Sequence, residues 1–267
     1  MYRNKREIQK RLKFHLEKSG VKNNFFGIFL KGSQNYMKNY NVNSDVDSVV
    51  IYIPNKIDII NTSCTKKETI KLECGEEIAF LDIRAFFREI NNPTLFTLEI
   101  LQTEFFILNE SYKKEIIILK SMLQAIIESN KKTLIENICK INERNMRYIN
   151  KNGLCEKKAF HLIRMSKSAV KINLGKKSKE CLKSISDLNT KEIKYDKSVD
   201  HILLKDRCNY YYQSSNFLKS IAENDLNKKH QTTEIVNQIL FFILYRNISQ
   251  LIETQIHDNN KRIPCSS

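Results

Sequence analysis

The spacing of apolar residues changes once along this 267-residue chain, near Arg84. Before that point, the short apolar runs 24–30 and 46–53 have the length of strands, and residues 68–84 alternate as a β-hairpin does. After it, helical spacing recurs over 84–91, 94–102, 110–128, 131–150, 156–173, 213–224 and 232–256. The pattern therefore predicts an α+β chain whose strands all lie in its first part.

The same pattern predicts a division of the chain. Residues 1–108 form a mixed sheet with flanking helices, including a helix over 4–18 and one or two helical turns over 34–40. Residues 109–256 form an all-helical domain, and 257–267 form a flexible C-terminal tail. Within the helical part, residues 174–212 are rich in lysine and serine with weak periodicity, which is typical of a loop region.

Composition narrows the class of protein. Hydrophobic residues make up 41% and charged residues 28%, as in a globular chain. No apolar run has the length of a bilayer span, and no signal peptide is visible at the N-terminus, so we expect no membrane partner. The seven cysteines are scattered singly, which argues against a zinc site or a disulfide framework and favours a cytoplasmic location.

The formal net charge of +15 indicates a chain that attracts polyanions. Nucleic acid, nucleotide phosphates and an anionic surface all satisfy that condition. Because a lysine-rich surface alone proves little, the placement of the charged residues carries more weight than their sum.

Two aspartates, Asp45 and Asp47, stand one residue apart at the start of a predicted strand. Side chains two residues apart in a strand point to one face, and like charges there disfavour each other's ionisation. Asp82, in the second arm of the hairpin, is a third carboxylate that can converge with them. Carboxylates suit Mg²⁺, and two such ions ~3.5–4 Å apart clamp a phosphoryl transfer. The three aspartates therefore predict a magnesium site.

A Gly-Ser pair, Gly32-Ser33, follows the first predicted strand and is separated from Asp45 by eleven residues. Glycine lets the backbone approach a ligand closely, and the N–H groups of the turn suit an anion. Ser33 adds a hydroxyl for a triphosphate oxygen. Alone, either motif is common, and an isolated Asp-x-Asp is more typical of a turn or a solvated strand end. Their order along the chain is what predicts a nucleotide site.

The predicted helix 156–173 carries a cationic stripe. Lys157, His161, Arg164 and Lys171 fall on one face, opposite an apolar face that includes Ala159. A lone histidine on a helix is usually structural, whereas one aligned with three cations favours phosphate binding. Arginine suits phosphate oxygens because it presents a rigid fork of donors.

These motifs together resemble the nucleotidyltransferases of the DNA polymerase β superfamily. Within it, GSQNYMKNYNVNSDVDSVVIYIP (32–54) is similar to the RlaP-type predicted nucleotidyltransferases of bacteria and phages. LDIRAFFREINNPTLFTLEIL (81–101) and CEKKAFHLIRM (155–165) resemble the same branch, so the likeness covers roughly residues 24–172. The chain departs from many relatives at Tyr36-Met37, where they have Tyr-Gly, and this concerns the shape of the base pocket.

The resemblance implies a polymerase-β-like palm over residues 1–108. It implies that Gly32 and Ser33 hold a nucleoside or deoxynucleoside triphosphate such as ATP, and that Asp45 and Asp47 bind two Mg²⁺ ions, with Mn²⁺ as an alternative. Asp82 would ligate the catalytic ion and help to deprotonate the acceptor hydroxyl. The enzyme would transfer NMP or dNMP without a template, with nucleic acid as acceptor or product, in an antiviral-defence or phage context.

Other readings stay open. The same palm serves the nucleotidylation of a protein or small molecule, as in toxin–antitoxin systems, and a degenerate palm can bind nucleic acid without catalysis. Three repelling carboxylates argue against a degenerate palm, because it has no use for them. Ser266 and Ser267, in the polar tail, are possible self-priming acceptors, although a frayed terminus without a role is the simpler explanation of the tail.

Overall fold

The computed structural model describes residues 5–21, 24–32, 45–55, 58–59, 68–182, 201–222 and 226–261. Helix α1 spans Lys5–Lys18 and buries Ile8 and Leu12, one turn apart, on its apolar face. The strands are β1 (Phe25–Lys31), β2 (Asp47–Tyr52), β3 (Glu68–Lys71), β4 (Glu77–Asp82) and β5 (Phe106–Leu108). The chain is therefore α+β.

The five strands of the described residues form one mixed sheet in the order β3-β4-β2-β1-β5. β2 and β4 are parallel, whereas β1 is antiparallel to both β2 and β5, and β3 is antiparallel to β4. Because parallel strands begin at the same edge of a sheet, β2 and β4 both begin where β1 ends. We call this edge, with Lys31, Gly32, Asp45, Asp47 and Glu77, the carboxylate edge.

The remaining described residues are mostly helical. A 3₁₀ turn covers Glu110–Tyr112, and the helices are α2 (Ile83–Asn91), α3 (Leu95–Gln102), α4 (Lys113–Ser121), α5 (Leu123–Ser129), α6 (Lys131–Asn152), α7 (Glu156–Asn173), α8 (Ser178–Leu182), α9 (His201–Ile221) and α10 (Leu226–Lys261). The Asp82 carboxylate caps α2 by accepting from the Arg84 N–H at 2.7 Å, and Thr94 caps α3.

Both faces of the sheet are covered. On the rear face, Ile8 and Leu12 of α1 pack against Ile28 and Val50. The front face contributes to a larger core in which sheet residues such as Phe26 pack in one cluster with helical residues as distant in sequence as Ile243. The helices after Leu108 thus share a core with the sheet, so the division into a palm and a separate helical domain stays a prediction.

Most predicted elements are confirmed, and the differences have local causes. β5 was not predicted because three half-buried residues show no period. α9 begins at His201 rather than at 213, inside the predicted loop region, because polar residues interrupt its apolar spacing. α10 continues to Lys261, into the predicted tail. The predicted turns over 34–40, Ser33, Ser266 and Ser267 lie outside the described residues.

Across the described helices, none is both long enough and apolar enough to cross a bilayer.

Candidate functional site

Three charged residues lie side by side across the carboxylate edge. Lys31, the last residue of β1, is the register partner of Asp47, the first residue of β2. The parallel register of β2 and β4 places Glu77, the first residue of β4, opposite Asp47. The Glu77 backbone N–H donates to Asp47 Oδ1 at 3.0 Å. Lys31 Nζ lies 3.7 Å from Glu77 Oε2. Because register partners share a face, all three side chains stand on the front face of the sheet.

Two glycines with positive φ abut the aspartates. Gly32 has φ +82°, and a methyl group added there would lie 3.6 Å from Asp47 Oδ2. Gly75, in the β3–β4 turn, has φ +90°, and a methyl group there would lie 3.9 Å from Asp45 Oδ1. The Asp45 side chain is exposed and Asp47 is half-buried. The structure thus places Gly32 beside Asp47, and Gly75 beside Asp45.

The charge of the Asp47 carboxylate is disfavoured by its surroundings. Burial raises its pKa, while the hydrogen bond from the Glu77 N–H and the charge of Lys31 lower it. The charges of Glu77 and Asp45 raise it further, so the net direction is upward. A cation placed beside these carboxylates would relieve both the desolvation and the repulsion.

The structure does not bring Asp82 to this site, which corrects the predicted convergence. Asp82 ends β4 and is the register partner of Tyr52, at the far end of β2. Five residues along a strand correspond to about 16 Å, and the odd offset from Glu77 turns Asp82 to the opposite face. Its buried carboxylate caps α2 and pairs with Arg84 at 2.8 Å. Asp82 therefore stabilises the β4–α2 junction.

Glu77 occupies the position that was predicted for Asp82. Its side chain shares the front face with Asp47, and its carboxylate is about half exposed. A signal was present in the sequence, because Glu76 and Glu77 begin the second arm of the hairpin. Selecting Glu77 required the parallel register of β2 and β4, which no local pattern gives.

The cationic stripe of α7 divides in the structure. Arg164 is buried and forms an ion pair with Glu99 of α3, which joins α7 to α3. Burial lowers the pKa of His161 to about 4, with Arg164, Lys157 and Lys158 adding to the effect, so His161 is neutral at pH 7. Lys157 is exposed. Of the predicted phosphate ligands on α7, Lys157 thus presents its charge to solvent. The predicted buried face, with Ala159, is confirmed.

Among the described residues, no group of three or more His, Cys, Asp or Glu side chains is arranged so as to hold a metal ion alone. Mg²⁺ commonly takes one or two carboxylates and completes its octahedral shell with water and substrate phosphates. Asp45 and Asp47 are oxygen donors of the required type, beside a glycine that leaves space for a phosphate. The donor set therefore fits Mg²⁺ bound together with a nucleotide.

Comparison with known proteins adds little to this geometry. The sequence matches no protein-family profile, and it matches no curated protein. Among solved structures, a crystal structure of a nucleotidyltransferase-like protein from Exiguobacterium sibiricum is similar, with a TM-score of 0.32 and 10% identity over 90% of this chain and 80% of that chain. A TM-score this low does not establish a shared fold, so the function rests on the site itself.

Proposed function

We propose that this protein is a nucleotidyltransferase. The observation that carries the proposal is the carboxylate edge, where Asp45, Asp47 and Glu77 stand beside Gly32 at one end of a mixed sheet. A row of carboxylates at a backbone turn suits a metal–triphosphate complex, because the cation offsets both sets of negative charge. The motif order Gly-Ser followed by Asp-x-Asp supports the same class.

The particular reaction is transfer of NMP or dNMP from a nucleoside triphosphate to a hydroxyl. Asp45 and Asp47 would hold Mg²⁺, or Mn²⁺, as one or two ions. An ion held there would offset negative charge on the triphosphate and on the pyrophosphate that leaves. Gly32 allows the backbone to approach the phosphates, and Ser33 offers them its hydroxyl.

Glu77 takes the role of general base in this proposal. Its carboxylate is half exposed on the front face and lies beside Asp47, where an acceptor hydroxyl would approach. One carboxylate oxygen of Glu77 would accept the hydroxyl proton as the oxygen attacks the α-phosphate. Lys31, whose Nζ lies 3.7 Å from Glu77 Oε2, would orient that carboxylate. Lys157 would add a contact to the phosphates from α7.

The acceptor is the finer part of the proposal. The net charge of +15 favours nucleic acid as acceptor or product, which corresponds to template-independent synthesis or end addition. The resemblance to bacterial and phage nucleotidyltransferases is the sole support for a defence or phage context. A protein or small-molecule acceptor, and Ser266 or Ser267 of this chain, are outcomes that the experiment separates.

The test incubates the protein with each labelled triphosphate and Mg²⁺, with and without single-stranded RNA or DNA and without template. Wild type transfers label, and Asp47→Asn does not. Asp206→Asn, at an exposed aspartate of α9, is the matched control and stays active. Activity that persists in Asp47→Asn, or in excess chelator, refutes the metal-dependent reaction at this edge.

Two further readouts separate binding from transfer and one acceptor from another. A triphosphate should raise the melting temperature only when Mg²⁺ is present, because each completes the other's binding site. Equal stabilisation in chelator contradicts a metal site. Intact-mass spectrometry detects self-priming as protein mass rising in nucleotide-monophosphate steps, whereas an unchanged mass beside labelled oligonucleotide excludes it.

A further inference from the structure

A buried polar network lies on the rear face of the sheet, directly behind the carboxylate edge. His15 of α1 places Nε2 2.9 Å from Glu76 Oε2 and Nδ1 2.9 Å from Ser48 Oγ. Arg11, one turn earlier, donates from Nε to Glu76 Oε2 at 2.9 Å. The other carboxylate oxygen, Glu76 Oε1, accepts the backbone N–H of Val46 at 3.3 Å. Glu76 thus joins α1 to the start of β2.

Three members of this network are sequence neighbours of carboxylates at the carboxylate edge. Val46 stands between Asp45 and Asp47, Ser48 follows Asp47, and Glu76 precedes Glu77. Because successive residues of a strand point to opposite faces, the network lies behind the sheet while the carboxylates lie in front. Fixing the rear residues therefore also fixes the backbone from which the carboxylates project.

The network is closed to substrate. His15 and Ser48 are fully buried, and Glu76 is 4% exposed. Ser48, His15 and Glu76 are the residue types of a hydrolytic triad. The Ser48 hydroxyl is fully buried, however, so it cannot attack a substrate from solution. Glu76 Oε2 accepts hydrogen bonds from both Arg11 and His15, and these contacts fix its carboxylate against α1.

We propose that Arg11, His15, Ser48 and Glu76 are positioning residues, which hold Asp45 and Asp47 in the arrangement that binds the metal ion and keep Glu77 beside them. The inference rests on the proposed nucleotidyltransferase function. It assigns α1 a role that no sequence motif indicated. Partners that orient metal ligands typically change metal affinity about 10–100-fold when they are removed.

The test measures Mn²⁺ binding directly, by the electron paramagnetic resonance signal of free Mn²⁺, together with kcat, the Michaelis constant and the melting temperature. Ser48→Ala removes one hydroxyl from the network, and His15→Gln removes the ring but keeps an N–H donor. Ser129→Ala is the matched control, because Ser129 is as fully buried as Ser48. Ser129 is the last residue of α5, outside the sheet, and its hydroxyl accepts from the Asn130 side chain at 3.1 Å.

For both network variants we expect the Mn²⁺ dissociation constant to rise about tenfold and kcat to fall. Ser129→Ala lowers the melting temperature without changing Mn²⁺ affinity. If the network variants behave as Ser129→Ala does, their role is structural and the inference is overturned. Ser48→Ala decides the matter should His15→Gln fail to fold.

Asp47→Ala separates this inference from the function on which it rests. If the wild type binds Mn²⁺ and transfers nucleotide while Asp47→Ala does neither, the proposed function is upheld. This conclusion does not depend on the results for the network variants. A wild type that neither binds Mn²⁺ nor transfers overturns the function and the positioning role together.

Discussion

At the residue scale, two features determine the effect of a substitution. One is a backbone angle that favours glycine, and the other is a histidine that burial keeps neutral. Gly32 adopts φ +82°, where an L-residue is strained, and it adjoins the half-buried Asp47. His161, on α7, is kept neutral by burial and by neighbouring cations. Each feature gives a substitution whose effect has a definite sign.

Gly32→Ala should lower stability and weaken nucleotide binding together. The left-handed conformation costs a non-glycine residue about 1–2 kcal/mol. Gly175→Ala is the matched control, because Gly175 has φ +65° with nothing within 4 Å of an added methyl group. Urea unfolding should show a similar loss in both variants, while only Gly32→Ala raises the Michaelis constant for triphosphate. Unchanged kinetics in Gly32→Ala would remove Gly32 from the site.

His161 should make the folded state less stable in acid. Its pKa is lowered from 6.5 to about 4 by burial, Arg164, Lys157 and Lys158. Between these values the unfolded chain binds a proton that the folded chain does not, so stability is lost as the pH falls through this window. We expect the free energy of unfolding to fall less between pH 7 and pH 5 in His161→Gln than in wild type.

His230→Gln, at an exposed histidine of α10, provides the control and should retain the wild-type pH dependence. The pKa of His15 is also lowered by burial. Since His15 is present in all three proteins, its contribution cancels from the comparison. Identical slopes for His161→Gln and wild type would contradict a neutral, buried His161.

At the scale of elements, the parallel register of β2 and β4 selects the third carboxylate. Asp47 meets Glu77 at the beginning of both strands, and Tyr52 meets Asp82 at their end. A one-residue change of register would turn the side chains of β4 to the other face. The register therefore places Glu77 in the proposed site and Asp82 at the β4–α2 junction. Matched substitutions of the two residues can distinguish their effects.

Glu77→Gln should lower the transfer rate by about 100-fold or more, the usual contribution of a general base. Its stability should change little because the carboxylate is about half exposed. Asp82→Asn should keep its rate per folded molecule but lose about 1–3 kcal/mol, since Arg84 loses its buried charged partner. Single-turnover rates and urea unfolding measure the two effects. A large loss of rate in Asp82→Asn, together with an unchanged rate in Glu77→Gln, would instead identify Asp82 as the catalytic carboxylate.

At the scale of the whole molecule, one core joins elements far apart in the chain. Phe26 of β1, Phe86 of α2 and Val236 of α10 belong to one buried cluster. α10 also connects by Arg246 to Glu115 of α4 at 2.8 Å. The sheet therefore shares its core with helices that the sequence predicts to form a separate domain.

Fragment 1–108 should fail to fold cooperatively on its own. Without the later helices, the front face of the sheet exposes apolar side chains that contribute about 1.5–3 kcal/mol each when buried. In the full chain, tyrosine fluorescence and far-ultraviolet circular dichroism should follow one urea transition. Two separate transitions, or a cooperative transition in the fragment, would instead support independent domains.

The sequence alone determined the elements whose signals are local. Apolar spacing located the strands β1 and β2, the β3–β4 hairpin and most helices. Such features depend on neighbours within one or two turns of chain, so a single sequence contains them.

The tertiary structure decided what depends on contacts between distant segments. Strand register placed Glu77, and not Asp82, beside Asp47, and helix packing buried Arg164 against Glu99. The pairing of His15 with Glu76 likewise joins residues 61 positions apart. Periodicity says which face a residue occupies but not which residue of another segment it meets, because register and packing are set by the fit of whole surfaces.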